Sequence, residues 1–308
     1  MERAKQSVID NSIIAGVSNL YYELLKLQAQ ITIVEAAMEV TRLRIAKLQD
    51  QKSFGKATEL DVLQATTSLN KDQSTLSEFQ TARLNLLIDL NRLLGADFTT
   101  DYVFQLTTTD ALLPTSEEIQ RALTNSPEVQ LARAGIQAAD LQVAQERSTL
   151  APTVSAFANA GGFYQYNDVQ QLRELQTVGF TLGLTARYNL NDGRGNRKRI
   201  QISQLESEIA VIRLDQVVAD LVKNAEQLLA KHALTQKQLR LETENLATYE
   251  QNMRKLNDLF ATGKVNEVTI RDAELAVLQS KSTLATLRVT ERQILTDLDI
   301  LLGKLMPR

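Results

Sequence analysis

Cysteine is absent from all 308 residues, which excludes disulfides, thiolate metal sites and cysteine nucleophiles. Tryptophan is absent as well, aromatic residues make up only 5%, and glycine and proline number 12 and 4. So few breakers and so few aromatics suit long helices better than a β-rich fold. No run of about 18 apolar residues occurs, so the sequence offers no transmembrane helix. No apolar stretch follows Met1-Glu2-Arg3-Ala4-Lys5-Gln6, which is therefore not a signal peptide. An exported protein needs one, so the sequence reads either as cytoplasmic or as lacking its natural start. A basic excess is missing too: 34 Lys and Arg stand against 37 Asp and Glu, for a net charge of -3. That balance gives no electrostatic case for nucleic acid as a partner. His232 is the single histidine; alone on a long helix it reads as structural, and without cysteine it argues against a transition-metal site. Gly193-Arg194-Gly195 has neither a Walker pattern nor a Rossmann setting. No nucleophile–base constellation is recognisable, so the sequence points away from an enzyme and calls for no cofactor.

What is present is helical periodicity over unusual lengths. From about Glu2 to Lys52, Leu20, Leu24, Leu27, Ile31, Val34 and Met38 step by alternating fours and threes, the seam of a coiled coil. About 50 residues at 1.5 Å each make a rod of roughly 75 Å, which must pack along equally long neighbours. Ser53 to Ala57 interrupts the pattern. Thr58 then offers an N-cap with Asp61 three residues on, a capping-box pattern, and a second helix is expected from Glu59 to Leu94, stopped by Gly95. Residues 96–126 are expected to be largely irregular, with a short strand at Tyr102-Val103-Phe104-Gln105-Leu106 and a short helix opened by Pro114-Thr115-Ser116-Glu117-Glu118. Ser126 and Pro127 open a further helix, as N-cap and first helical residue, which runs to about Leu150 before Pro152. A long helix is expected from about Asn196 to Phe260, where Leu246, Tyr249, Met253, Leu256 and Phe260 again step by threes and fours. Thr262-Gly263-Lys264 breaks it, Asn266 caps the next helix, and Gly303 ends that one, leaving a tail at 304–308.

Between these helices the texture changes. Thr153 to Tyr166 is small, apolar and aromatic. From Val178 to Leu190 the sequence alternates: Phe180, Leu182, Leu184, Ala186, Tyr188 and Leu190 point one way, and Thr181, Gly183, Thr185, Arg187 and Asn189 the other. Period two over that length is a strand with one apolar and one polar face, of the length that crosses a bilayer when tilted. A polar loop, Asn167 to Gln176, separates the two strands. The apolar face could instead pack in a soluble sandwich, but no other strong strand is present to cover it. Arg194, Arg197, Lys198 and Arg199 follow the second strand and suit either lipid headgroups or a solvated helix start.

The breaks repeat. Gly55-Lys56 aligns with Gly263-Lys264, Glu59 with Glu267, Ala65 with Ala273, Ser74-Thr75-Leu76 with Ser282-Thr283-Leu284, and Leu93-Leu94-Gly95 with Leu301-Leu302-Gly303, at a constant offset of about 208 residues. The repeated unit is a long helix, a tight tip, a returning helix and a Leu-Leu-Gly stop. So long a period indicates duplication of a large unit, not a solenoid. The fold class is therefore mainly α: long antiparallel coiled-coil helices with one β-hairpin and an internal repeat.

Three motifs carry a family resemblance. Gly55 to Ala65 resembles the G-x5-D-V-x2-A helix-tip motif of TolC-like outer-membrane efflux proteins. Asn125-Ser126-Pro127-Glu128, followed by Leu150-Ala151-Pro152-Thr153-Val154, is similar to their approach to a membrane strand. Leu190-Asn191-Asp192-Gly193 resembles their strand exit, with Asn189 where proline is usual. The resemblance covers essentially the whole chain. It implies a homotrimer in the outer membrane of a Gram-negative bacterium, with each subunit contributing strands to a shared transmembrane β-barrel and helices to a periplasmic tunnel. It also implies partners: outer-membrane lipid, a periplasmic adaptor protein and an inner-membrane transporter. The segments then read as first-repeat helical hairpin (1–95), equatorial segment (96–126), helix leading to the barrel (127–152), barrel hairpin (153–190) and second-repeat helical hairpin (191–303). A signal peptide, a first helix and a first β-hairpin would precede residue 1. By the same resemblance, Gly55, Lys56 and Ala57, with Gly263, Lys264 and Val265, form adaptor-contact tips, against the plainer reading that each glycine merely permits a turn. Asp272, Thr269, Asp61 and Phe260 fall at the family's pore aperture. Threefold repetition of Asp272 would make a carboxylate ring that attracts cations. Thr269 stands where a second aspartate is usual, Phe260 replaces a usual tyrosine, and Asp61 reads equally as a capping residue. Phe180, Leu182, Leu184, Tyr188 and Leu190 form the lipid-facing strand. The rival reading is a soluble coiled-coil scaffold or interaction protein.

Overall fold

The computed structural model describes residues 2–106, 113–166 and 174–304. Six helices and one hairpin are described, in the order α1 (Glu2–Ser53), α2 (Glu59–Leu94), α3 (Ser116–Thr124), α4 (Pro127–Ser148), β1 (Thr153–Tyr166), β2 (Glu174–Arg187), α5 (Gly195–Ala261) and α6 (Glu267–Leu301). They fall into two units. Glu2–Glu128 and the residues from Val218 onward form one, and Val129–Val217 the other.

In the first unit α1 and α2 form an antiparallel helical hairpin, and α6 packs against both. The seam expected along α1 is the buried one: Leu24, Val34 and Met38 are in the core, as is Leu48 further on. Near the α2 end, Tyr22, Leu24 and Leu25 of α1 meet Leu87 and Leu90 of α2, Val289 of α6 and Phe104. Midway, Val34 and Met38 pack on Leu76. At the tip, Leu48, Val62 and Ala65 form a third cluster, to which Ile45, Ala57 and Phe260 add partly buried surface. Antiparallel pairing of α5 with α6 shows in their side-chain contacts. Gln236 Nε2 donates to Glu291 at 3.3 Å, Ser280 Oγ donates to Glu242 at 2.5 Å, and Lys281 pairs with Glu250 at 3.3 Å.

The internal repeat holds at the level of backbone hydrogen bonds. At the first tip Phe54 N–H donates to Gln51 O, Gly55 to Lys52 O and Lys56 to Gln51 O. At the second, Thr262 donates to Leu259 O, Gly263 to Phe260 O and Lys264 to Leu259 O. These are the same bonds at the same offset, the Schellman pattern that satisfies the last carbonyls of a helix. Gly55 and Gly263 carry it at φ 70° and 72°. Gly55→Ala is expected to cost about 1–2 kcal/mol, because a Cβ disfavours that left-handed conformation; a lowered unfolding midpoint checks it. The stops match as well: Ala96 N–H donates to Asn91 O and Lys304 to Asp299 O, each at 2.9 Å.

Residues 102–106 form no strand. Among the described residues no neighbouring strand offers them a ladder, and aromatic packing holds them instead. Phe104 is buried against Tyr21 in an edge-to-face contact, and Tyr21 Oη donates to Gln105 O at 2.6 Å. Buried Asn91 pins the preceding turn by donating to Thr100 O at 2.8 Å. The short helix α3 opens as expected, on a capping box between Thr115 and Glu118.

In the second unit β1 and β2 pair antiparallel in continuous register from Thr153↔Arg187 to Tyr166↔Glu174. The strand expected over 178–190 is thus shifted. It spans Glu174–Arg187, and Tyr188 and Leu190 lie beyond it. The ladder stops there because Pro152, just before β1, has no N–H to extend it. Residues 174–176 of the expected loop are strand, and the rest of that loop lies outside the described residues, as does the tail from 305. Leading into the hairpin, α4 ends at Ser148, two residues short of the expected Leu150.

Candidate functional site

The register sorts the hairpin's side chains completely. On one face Val154, Ala156, Ala158, Ala160 and Gly162 of β1 lie opposite Ala186, Leu184, Leu182, Phe180 and Val178 of β2. Nothing on this face is polar across nine residues, about 30 Å of strand. Tyr164 and Tyr166 continue it toward the strand ends. Phe180, Leu182 and Leu184 are 69%, 68% and 79% exposed. The other face carries Ser155, Asn159, Thr181, Thr185 and Arg187, with Phe157 and Phe163 among them. Phe157 lies across Gly183: a Cβ there would sit 2.4 Å from the ring's Cζ, so the missing side chain makes room for the aromatic, a device that stabilises strand glycines. Of the predicted lipid-facing set, the structure therefore brings Phe180, Leu182 and Leu184 together on one strand face, and leaves Tyr188 and Leu190 outside the ladder.

The two helical tips display Gly55 and Lys56, and Gly263 and Lys264, to solvent. Ala57 and Val265 are half-buried. Asp61 closes the capping box of α2, whose N-cap is Thr58: its Oδ2 accepts from Thr58 N–H at 2.8 Å and from Thr58 Oγ1 at 2.7 Å. Thr269 is its counterpart in the second repeat and turns the same way, donating from N–H and Oγ1 to Asn266 Oδ1 at 3.0 and 2.8 Å. Asp272, one turn further along α6, is exposed and lines a shallow cleft with Leu60, Leu63 and Gln64 of α2. Phe260 is turned inward onto the first hairpin's tip cluster. Of the four predicted aperture residues, then, only Asp272 presents an exposed carboxylate that takes no part in capping.

Beneath the tips lies a feature that sequence reading missed. Arg44 of α1 donates from Nη1 to Glu267 Oε1 at 2.9 Å and pairs through Nη2 with Glu274. Arg271 of α6 pairs with Asp72 of α2 at 2.5 Å and with Glu274 at 3.6 Å. All five side chains are at most 14% exposed. The signal was available: in the aligned repeats Asn252 stands opposite Arg44, Ser280 opposite Asp72, Leu63 opposite Arg271 and Thr66 opposite Glu274. Charge placed where the sister repeat is uncharged marks a contact that only one copy makes.

Among the described residues no cluster of His, Cys, Asp and Glu could hold a metal ion, and no helix is long and apolar enough to cross a membrane. Comparison with known proteins bears on the same regions. Residues 119–304 match the family described as outer membrane efflux protein. The solvent efflux pump outer membrane protein SrpC of Pseudomonas putida is 21% identical over 290 residues, 92% of this chain and 60% of that protein. The toluene efflux pump outer membrane protein TtgI of Pseudomonas putida matches to the same extent, so the chain spans about 60% of the length of each of these relatives. Among solved structures, the outer membrane protein VceC of Vibrio cholerae superposes with a TM-score of 0.81 at 18% identity, over 98% of this chain and 72% of that one. CusC, described for the conformational changes accompanying folding and transmembrane channel formation, gives a TM-score of 0.83 at 17% identity over 97% and 70%.

Proposed function

The chain belongs to the outer membrane efflux protein family, and from that premise we propose that it is the outer-membrane channel subunit of a tripartite efflux or type I secretion system. In this reading it conducts substrates passively from an inner-membrane pump, through a periplasmic adaptor, across the periplasm and outer membrane of a Gram-negative bacterium. It catalyses no reaction, and its partner pump supplies the energy. The observation that carries the reading is the β1–β2 hairpin, with its apolar face exposed and both strand edges unpaired among the described residues. A two-stranded sheet is at best marginal on its own, and open edges are not tolerated in hydrocarbon. Both problems vanish if further strands close a barrel around a threefold axis, with Phe180, Leu182 and Leu184 toward lipid and the threonine face toward the lumen. The half-covered seam of α5, where Leu246, Met253 and Leu256 are only partly buried and Tyr249 is exposed, is likewise suited to cover by a neighbouring copy.

Residues 1–95 and 191–303 form the wall of a periplasmic tunnel in this reading, and 127–152 leads to the barrel. Lys56 and Lys264, displayed by their turns, face the adaptor together with Gly55, Ala57, Gly263 and Val265. Opening of the tips proceeds by small shear motions of packed helices. Asp272 supplies the aperture carboxylate; Thr269 and Asp61, engaged in capping, contribute less, and Phe260 narrows the region by packing alone. Three carboxylates about an axis attract cations, so Asp272→Lys is expected to weaken block of single-channel current by divalent cations about tenfold, the effect of ~1.4 kcal/mol. Block unchanged by the substitution removes Asp272 from the pore. Chains that stay dispersed without detergent and never cross-link as trimers would favour a soluble scaffold instead.

A further inference from the structure

We propose that Arg44, Asp72, Glu267, Arg271 and Glu274 form a proton-linked tie between the two helical repeats, in which the tied arrangement takes up a proton that is released when α6 separates from α1 and α2. The tie lies within one chain, so it goes beyond the channel reading and does not depend on it.

Three observations carry the inference. The first is connectivity. Arg44 comes from α1, Asp72 from α2, and Glu267, Arg271 and Glu274 from α6, so each guanidinium bridges the first repeat to the second. Removing one partner of such a buried set leaves the others charged and uncompensated, which is far more costly than losing a surface pair.

The second is the comparison between repeats. The turns and stops are built alike in both copies, so nothing in the hairpin itself requires these charges. Four of the five have uncharged counterparts, and the fifth, Glu267, aligns with Glu59, which lies exposed and paired with Lys52. Glu267 is instead 1% exposed. The same residue type at the same helical position serves the turn in one copy and the contact between copies in the other.

The third is charge balance. Three carboxylates face two guanidiniums, and guanidinium does not deprotonate in proteins. One negative charge is left over in a buried site, where its cost is greatest. Asp72 Oδ2 and Glu267 Oε2 are buried without a hydrogen-bond partner, so an oxygen is free to carry the neutralising proton. Burial pushes the Glu267 carboxyl above its ordinary value, against the pull of Arg44 and Arg271, and Asp61 of α2 adds to the rise. From α5, uncharged Met253 and Asn257 line the cleft beside Arg271 and Glu274, together with Lys281 of α6, which pairs with Glu250.

A carboxyl whose pKa is higher in the tied than in the separated form binds more protons when tied, so the tie strengthens as pH falls toward the ordinary glutamate value and weakens as pH rises through the raised one. Because the protein lacks cysteine, Lys56→Cys with Lys264→Cys places one spin label on each tip. The labelled chain is refolded with an excess of unlabelled chain, so that measured pairs lie within one molecule. Electron–electron resonance distances should then show the ratio of tied to separated chains rising with falling pH, by up to about tenfold per pH unit, the limit for one proton. Glu267→Gln keeps the size and removes the titration; its tips should stay tied at every pH. Arg44→Gln should shift the population to separated tips, and if that variant does not fold, Glu267→Gln carries the test by itself. A wild-type distance indifferent to pH, or a response that persists in Glu267→Gln, overturns the proposal. So does a folded Arg44→Gln whose tips remain tied. None of these readings depends on conductance, so the channel assignment stands or falls separately.

Discussion

In the channel reading, replacing both Leu182 and Leu184 by arginine is expected to abolish stable insertion into outer-membrane lipid while leaving the helices formed. Each arginine on a lipid-facing strand costs about 2–4 kcal/mol near the bilayer midplane, so the pair approaches the whole stability of an ordinary domain. Both positions are more than two-thirds exposed, and they belong to a different unit from α1, α2 and α6. Helical circular dichroism should therefore survive, while heat-modifiable, detergent-resistant oligomers and membrane fractionation should be lost. Arginine at Thr181 and Thr185, on the opposite face of the same strand, is the control; insertion should persist there. A double variant at 182 and 184 that inserts normally would show that this face does not meet hydrocarbon.

Leu24→Ala is expected to be the most destabilising single truncation in the helical unit. Leu24 is 0% exposed, and its cluster draws on α1, α2, α6 and the segment carrying Phe104. A side chain held by elements so far apart in sequence leaves a cavity that no single helix can shift to fill, and such losses run to about 2–5 kcal/mol. Leu43, on the same helix, is 66% exposed. Leu43→Ala should change the stability by less than about 0.5 kcal/mol. Equal effects of the two substitutions on chemical unfolding would contradict the packing described for α1.

Much of this architecture was legible because its determinants are local. A capping box at Thr58 and Asp61, glycines at 55, 95, 263 and 303, and a three–four seam through Leu24, Val34 and Met38 are each written within a few residues, and the structure follows them almost to the residue. The strand's alternation was equally plain, but its end was not. Phe180 to Leu190 keeps the pattern past the point where the partner strand stops, and only pairing with β1 sets the limit at Arg187. The segment Tyr102–Leu106 failed for a related reason: its composition suits a strand, and among the described residues no second strand is there to accept it. The five-charge network was hidden because its members lie up to 230 positions apart in the sequence, from Arg44 to Glu274. On a helix net each resembles ordinary surface charge. Unlike residues at the same places in the sister repeat betray four of them, and Glu267 is matched by Glu59.

The matching Schellman turns have a bearing on stoichiometry. Backbone geometry at residues 51–56 is reproduced at 259–264, while the side chains just behind the two turns have diverged, lysine with an exposed glutamate in one copy and phenylalanine with a buried glutamate in the other. In a threefold assembly a ligand that grips the bare loop would count six docking points, and one that senses the neighbouring charges would count three. The duplication thus lets one polypeptide offer two different numbers to whatever meets its ends.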